Sequence, residues 1–173
     1  MEIFLYALKR YKTRCCKMKL HIGCGKRYLK DWVNADIESD IADVRFDASK
    51  VFPFDNGTCK FIYCEHFIEH LTPKEGIFFL SECKRVLAHS GVLRISTPNL
   101  DYITYKYIHS ADRLSICNWI NTAFSEWGHK YIYNKQMLRT TLQSLDFMVY
   151  QRLKNQSDYP ELRTLNLAQI KMK

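Results

Sequence analysis

The feature that most constrains the fold is an apolar run that stops at a pair of glycines. Residues 19–22, Lys-Leu-His-Ile, end at Gly23-Cys24-Gly25, as a buried strand does when it meets a tight turn. Glycine accepts positive φ angles and has no side chain, so the backbone at Gly23 and Gly25 can approach a ligand closely. The run therefore predicts a first strand that is followed by a ligand-binding turn.

Two further predicted strands end on acidic residues. Residues 32–37 form an apolar run that carries Asp36 at its end, and residues 43–47 form another that closes on Asp47. Because ligands of parallel sheets bind beyond the carboxyl ends of the strands, we expect both carboxylates to lie near the glycine turn.

The clearest helix start in the chain follows a fourth predicted strand at residues 59–63. Thr72 is the predicted N-cap, Pro73 takes the first helical position and Glu75 closes a capping box. The other predicted elements are the end of this helix near 89–91, a strand at 92–97, a helical region to about 124, a helix at 134–145 and a strand at 147–153.

Strands that alternate with helices predict an α/β fold with a Rossmann-like, doubly wound sheet. The strands are mostly parallel in such a sheet, and helices cover both of its faces. The glycine turn, the two strand-end acids and residues 64–66 should then meet at one edge of the sheet.

Composition indicates one globular domain. The 173 residues are 47% hydrophobic and 25% charged, which is typical of a chain with a sizeable core. The longest apolar stretches, 3–8 and 76–80, are far shorter than the roughly 20 residues that cross a bilayer, and no secretory signal is recognised at the N-terminus. The seven cysteines include no CxxC pair, so we expect reduced thiols in a cytoplasmic compartment.

The positive charge of the chain is concentrated at its N-terminus. Residues 1–30 hold nine of the 26 basic residues and one of the 18 acidic residues, so the remainder carries seventeen of each. Leu5 and Leu8 have helical spacing, and we expect residues 1–17 to form a basic amphipathic helix or arm on the domain of residues 18–173. Such an arm could bind nucleic acid or an anionic membrane surface. A solvent-exposed helix face with no binding role would have the same charge pattern.

The spacing between the glycines and Asp36 argues against a dinucleotide. Asp36 lies 11 residues beyond Gly25, whereas the dinucleotide fingerprint needs a third glycine, a full helix and an acid about 20 residues away. A ligand with a ribose diol and no phosphate fits better. Asp36 could accept hydrogen bonds from the two ribose hydroxyls, and Asp47 could accept one from an exocyclic amine.

Six segments together have the order and spacing of a known family. They are residues 20–36, 52–57, 64–71 (Cys-Glu-His-Phe-Ile-Glu-His-Leu), 85–99, 127–133 (Trp-Gly-His-Lys-Tyr-Ile-Tyr) and 157–162. On these segments the sequence resembles the class I S-adenosylmethionine-dependent methyltransferases, particularly the small ones with a type 11 domain. The resemblance covers about residues 18–162 and implies S-adenosylmethionine as the cofactor.

The resemblance also implies roles for individual residues. It places Gly23, Cys24 and Gly25 at the methionine and ribose, Asp36 at the ribose hydroxyls, Asp47 and the backbone of Ala48 at the adenine, and Cys64, Glu65 and His66 beside the sulfonium and the acceptor. Ile37 is also among the implied cofactor-binding residues. His21 departs from the family, in which many members have an acid that reaches the amino group of the cofactor. A seventh, antiparallel strand would have to come from residues 164–173, so we expect a trimmed C-terminal edge.

A second motif overlaps the methyltransferase segment. His66-x-x-Glu69-His70 matches the inverted zinc-peptidase motif, in which the two histidines lie one turn apart and the glutamate acts as base. A catalytic zinc needs a third protein ligand, which the motif lacks, and the glycine turn would be unexplained. We therefore expect no metal ion and a structural role for His70.

His66 and His129 are the candidate catalytic residues. Methyl transfer from a sulfonium is a direct displacement that depends on alignment and on excluding water, and a hydroxyl acceptor gains from a histidine base. We expect a methyltransferase that acts on a small molecule, with a sugar hydroxyl as the candidate acceptor. The alternatives are methylation of RNA or protein held by the basic arm, and a cofactor-binding scaffold without turnover.

Overall fold

A seven-stranded sheet forms the centre of the computed structural model, which describes residues 2–8, 18–151, 157–163 and 165. The strands are β1 (Glu2–Leu8), β2 (Met18–Ile22), β3 (Val33–Asp36), β4 (Val44–Arg45), β5 (Cys59–Glu65), β6 (Leu87–Pro98) and β7 (Met148–Gln151). Their order is β4-β3-β2-β5-β6-β1-β7. The five neighbouring strands β4, β3, β2, β5 and β6 run parallel to one another. This confirms the predicted α/β class with a mostly parallel, Rossmann-like sheet.

Five helices in the described part of the chain connect or cover the strands. They are α1 (Pro73–Val86), α2 (Leu100–His109), α3 (Arg113–Ser125), α4 (Lys135–Ser144) and the short α5 (Pro160–Arg163), and a 3-10 turn over Ile68–His70 precedes α1. Within the described ranges, none of them combines the length and the apolar character that a membrane-spanning helix needs.

The start of α1 is the predicted capping box. The Thr72 side chain accepts a hydrogen bond from the Glu75 backbone N–H, and the Glu75 carboxylate accepts one from the Thr72 backbone N–H at 2.8 Å. The helix ends at Val86, a few residues before the predicted end, because Leu87 takes an extended conformation and pairs with Cys59. At Leu87, strand pairing with β5 therefore replaces a further turn of helix.

Alternate residues of β5 supply the two hydrophobic layers of the domain. Ile62 and Cys64 belong to the larger cluster, which includes residues of α1 and α4. Phe61 and Tyr63 belong to a smaller cluster on the opposite face, together with Leu162 of α5. Since neighbouring side chains of a strand point to opposite faces, this alternation shows that the sheet is buried on both sides.

The N-terminal residues form a strand, and the predicted amphipathic helix is wrong for residues 2–8. β1 lies between β6 and β7 and is antiparallel to both. The physical reason is the free edge of the long strand β6, whose unpaired backbone groups are satisfied when seven consecutive residues pair with it. Met1 and the rest of the proposed arm, 9–17, lie outside the described residues.

The C-terminal edge of the sheet is short, as predicted. β7 has four residues, and the antiparallel position beside β6 is taken by β1. Of the residues 164–173 that were expected to supply a further strand, the structure describes Leu165 alone, whose carbonyl accepts a hydrogen bond from the Tyr63 hydroxyl at 3.1 Å.

His21 is part of the packing beneath the glycine turn. Its side chain is buried, its Nδ1 lies 3.1 Å from Asn34 Oδ1, and its ring stacks on that of Tyr63 at 5.2 Å. Burial disfavours the charged imidazolium and lowers the pKa of His21 to about 4. The residue therefore folds as a neutral imidazole.

We expect acidification to destabilise the protein through His21. The unfolded chain takes up a proton near pH 6.5, whereas the folded chain does so only near pH 4. The free energy of unfolding should therefore fall by roughly 2 kcal/mol between pH 7.5 and pH 5.0. Urea unfolding at the two pH values measures the loss. His21→Asn, which has no group that titrates in this range, should lose markedly less, and equal losses in both proteins would contradict the assignment.

Candidate functional site

The glycine turn is fixed to the neighbouring strand. The backbone N–H groups of Gly23 and Cys24 both donate to the carbonyl of Ala35 in β3, at 2.9 and 3.1 Å. Gly23 and Gly25 have φ angles of 70° and 50°, in the left-handed region that glycine tolerates best. The Cys24 side chain is buried beneath the turn.

The two glycines are needed for different reasons. A Cβ atom at Gly23 would lie 2.5 Å from Cδ2 of Phe67, so packing excludes a side chain there. A Cβ atom at Gly25 would meet nothing within 4 Å. The turn is therefore packed at Gly23 and faces open space at Gly25.

Asp36 connects this open space to the end of β3. One carboxylate oxygen accepts a hydrogen bond from the Gly25 N–H at 2.9 Å, and the other accepts from Glu38 N and Ser39 N at 2.9 and 3.1 Å. Partial burial raises the pKa of Asp36, but the backbone N–H bonds outweigh it and the net shift is downward. An ionised acceptor therefore stands at the edge of the glycine turn, as predicted. Ile37, next to it, is exposed.

Asp47 follows β4, the strand that pairs in register with β3. Its carboxylate accepts hydrogen bonds from the Ser49 N–H and hydroxyl at 2.9 and 2.6 Å, and Lys50 Nζ lies 3.0 Å away. These contacts, the Ser49 hydroxyl foremost, lower the pKa of Asp47 to about 2. Ala48 is buried. Asp47 is thus an ionised acceptor on the strand beside Asp36.

Glu65 is held by an ion pair that the sequence did not suggest. Its Oε2 atom lies 2.5 Å from Nη1 of Arg27 and accepts a hydrogen bond from the Tyr63 hydroxyl at 2.7 Å. Arg27 follows the glycine turn closely and was visible in the sequence only as one of many N-terminal charges. The contact ties the turn to the end of β5.

The side chain of Cys64 points into the large core cluster, so only its backbone can contribute to the site at the end of β5. The thiol is 1% exposed, and its sulfur contacts the carbonyl of Arg94 at 3.9 Å. Burial raises the pKa of Cys64 well above its ordinary value. The side chain is therefore a neutral core thiol and not a nucleophile.

The two candidate catalytic histidines lie near the same carboxylate. Glu69 is fully buried, with Oε1 3.1 Å from Nδ1 of His66 and Oε2 accepting a hydrogen bond from the Thr97 hydroxyl at 2.9 Å. His66 has a φ angle of 49° and a side chain that is 29% exposed. His129 is 7% exposed, and burial lowers its pKa, while Glu69 acts in the opposite direction.

Backbone hydrogen bonds bring the His129 loop to Glu69. The carbonyl of Glu69 accepts from the N–H groups of Lys130 and Tyr131 at 2.7 and 3.1 Å, and the His129 N–H donates to Ala123 at the end of α3 at 2.9 Å. The ring of His129 meets that of His70 edge-on at 5.0 Å. His70 is therefore part of this cluster rather than an isolated packing residue.

Comparison with known proteins agrees with this geometry. Residues 25–95 match the model of a family described as a methyltransferase domain. The structure of an S-adenosylmethionine-dependent methyltransferase from Archaeoglobus fulgidus is similar over 78% of this chain and 62% of that one, with 22% identity and a TM-score of 0.57. A candidate methyltransferase from Bacillus halodurans is similar over 76% and 61% of the two chains, with 20% identity and a TM-score of 0.48. The chain thus spans less than two thirds of each structure's length. No curated protein gives a significant match.

The mostly parallel, Rossmann-like sheet is the fold that the chain shares with the Archaeoglobus methyltransferase structure. The match of residues 25–95 to a methyltransferase domain covers less than half of the chain and agrees with that fold. The resemblance predicted from the sequence is thereby confirmed.

Alanine substitutions should distinguish the packed glycine, Gly23, from Gly25, which faces open space. Gly23→Ala forces a collision with Phe67 and should lower the free energy of unfolding by about 2–4 kcal/mol, the sum of overpacking and a left-handed φ. Gly25→Ala meets open space and should cost only about 1–2 kcal/mol, for its φ alone. Urea unfolding of both variants measures the difference, and a larger cost at Gly25 would contradict the packing described here.

Proposed function

We propose that the chain is an S-adenosylmethionine-dependent methyltransferase. The observation that carries the proposal is the Asp36 carboxylate, which is ionised, bonded to Gly25 N at 2.9 Å and placed beside the open space above that glycine. A carboxylate in this position suits the two hydroxyl donors of a ribose. The family match of residues 25–95 supports the same cofactor.

The connection between β2 and β3 favours a nucleoside ligand without phosphate. Residues 23–32, which join these strands, contain no helix, so no helix N-terminus is available there to bind a pyrophosphate. S-adenosylmethionine carries no phosphate, and NAD does. Gly25 and Asp36 would hold the ribose, and Asp47 is a candidate partner for the adenine amine.

When bound, S-adenosylmethionine supplies an electrophilic methyl group on a sulfonium. The residues of the chain then have to bind and orient the acceptor and exclude water, because a direct displacement depends on alignment. The Arg27–Glu65 ion pair supports this function, since it fixes the end of β5 against the glycine turn.

We further propose that the acceptor is a hydroxyl of a small molecule, with a sugar as the candidate class. His66 is the better base of the two histidines, since 29% of its side chain is exposed whereas His129 is 7% exposed. Its Nδ1 lies 3.1 Å from the Glu69 carboxylate, an arrangement in which a buried acid orients a histidine base. His129 then positions the surrounding loop.

The proposed compartment is the reducing cytoplasm. The five cysteines within the described residues form no disulfide with one another, and four of them are buried. Reduced, inert core thiols of this kind support a cytoplasmic location.

Binding of S-adenosylhomocysteine tests the cofactor site without requiring an acceptor. Isothermal titration should give micromolar affinity for the full chain and no binding of NAD. Asp36→Asn should weaken binding by about 10- to 100-fold, the loss expected for a charged hydrogen-bond partner. Asp40→Asn is the matched control, because Asp40 is an exposed aspartate on the same segment, paired with Arg45 at 2.7 Å. A folded protein that binds neither S-adenosylmethionine nor S-adenosylhomocysteine would contradict the proposal.

Transfer of a labelled methyl group to a set of acceptors tests the hydroxyl hypothesis. We expect incorporation into free or nucleotide-linked sugars, and a loss of about 10²- to 10⁴-fold in rate for His66→Gln, the usual contribution of a general base, with unchanged affinity for S-adenosylhomocysteine. Incorporation into RNA that falls steeply from 50 to 200 mM salt would favour the basic-arm alternative. Cofactor binding without transfer to any acceptor would favour a scaffold.

A further inference from the structure

Three potential metal ligands meet where the 66–70 segment touches the loop after α3. One side-chain atom each from Glu69, His70 and His129 lies within 4.8 Å of the other two. Ligands at 2.0–2.2 Å from a shared ion are at most about 4.4 Å apart, so small side-chain rotations would complete the shell. The 3-10 turn supplies the first two, and the turn after α3 supplies the third.

His129 has an unsatisfied polar atom in this cluster. Its side chain is more than nine-tenths buried, and Nδ1 has no hydrogen-bond partner among the described residues. A buried polar atom without a partner is costly, and a bound ion would remove that cost.

We propose that Glu69, His70 and His129 bind a divalent transition-metal ion of the zinc class. Two imidazoles and one carboxylate are a common ligand set for zinc and for Fe(II), whereas calcium and magnesium prefer shells of oxygen alone. Three protein ligands leave a fourth position for water or for an oxygen of another ligand. The site differs from the zinc-peptidase motif, because Glu69 is a ligand here, His129 takes the place of His66, and His66 is an outer partner of the Glu69 carboxylate.

The surroundings orient the ligands before any ion arrives. The Thr97 hydroxyl donates to Glu69 Oε2 at 2.9 Å, and Nδ1 of His66 lies 3.1 Å from Oε1, so the carboxylate has the outer partners that metal-binding carboxylates have. Backbone bonds from Lys130 and Tyr131 to the Glu69 carbonyl hold the second segment in place.

An ion at this position would join two separate parts of the chain. It would link the turn that carries His66 to the loop that carries His129, and the half-buried His70 gives the cluster a side open to solvent. The site needs neither the cofactor nor an acceptor. Metal binding can therefore be measured without either of them, although Glu69 and His129 also have roles in the proposed function.

The test is metal binding to the purified full chain after treatment with a chelator, with Zn²⁺ or Co²⁺ as the sole added probe. We expect one Zn²⁺ per chain by isothermal titration, a rise in melting temperature, and a Co²⁺ spectrum typical of nitrogen and oxygen ligands. His70→Gln and His129→Gln should each weaken Zn²⁺ binding at least 100-fold, and Thr97→Val about 10-fold. His89→Gln is the matched control, because His89 is exposed and outside the cluster, and it should bind as the wild type does.

Three results would overturn the site. These are no Zn²⁺ uptake by the wild type, unchanged affinity in His70→Gln, and a Co²⁺ spectrum with thiolate bands, which would place the ion on cysteines. Circular dichroism shows whether each variant folds. If the buried substitution His129→Gln prevents folding, the half-buried substitution His70→Gln still tests the site. S-adenosylhomocysteine is titrated separately into the same samples, so failure of the metal site and failure of the cofactor site are distinguished.

Discussion

The buried residue Glu69 holds together the segments that form one side of the candidate site at the carboxyl ends of the parallel strands. Its carboxylate is hydrogen-bonded to Thr97, near the end of β6, and to His66. Its backbone carbonyl accepts hydrogen bonds from the N–H groups of Lys130 and Tyr131, in the loop after α3. A carboxylate without solvent contact is costly to bury unless each of its oxygens has a partner. The position of His66 therefore follows from the partner that the carboxylate requires, and the loop of His129 is placed by the bonds to the Glu69 backbone carbonyl.

The glycine turn and the ends of β3 and β5 form the other side of the same edge. Asp36 organises this side with backbone N–H bonds, while the Arg27–Glu65 pair links it to β5. Phe67 lies against Gly23 and thereby connects the turn to the segment that carries the histidines. The two halves are therefore linked by this contact and by the chain itself, since Glu65 at the end of β5 is followed directly by His66.

Local signals in the sequence predicted much of this architecture. The capping box at Thr72 and Glu75, the glycine turn and the strand-end acid Asp36 each depend on neighbouring residues, and each is found as expected. The helix expected in residues 2–8 was wrong because strand pairing with β6 is a long-range interaction that spacing does not encode. The approach of His129 to Glu69, and of Arg27 to Glu65, could not be predicted for the same reason.

The position of β1 has a consequence for how the sheet is assembled. In the described part of the chain β7 pairs with the sheet only through β1, and β1 in turn depends on β6. β1 therefore cannot pair with β6 until residues 92–98 have been made, and only then can β7 add to β1. Contacts of such large sequence separation slow folding, and until they form, the edge of β6 is exposed to pairing with other chains.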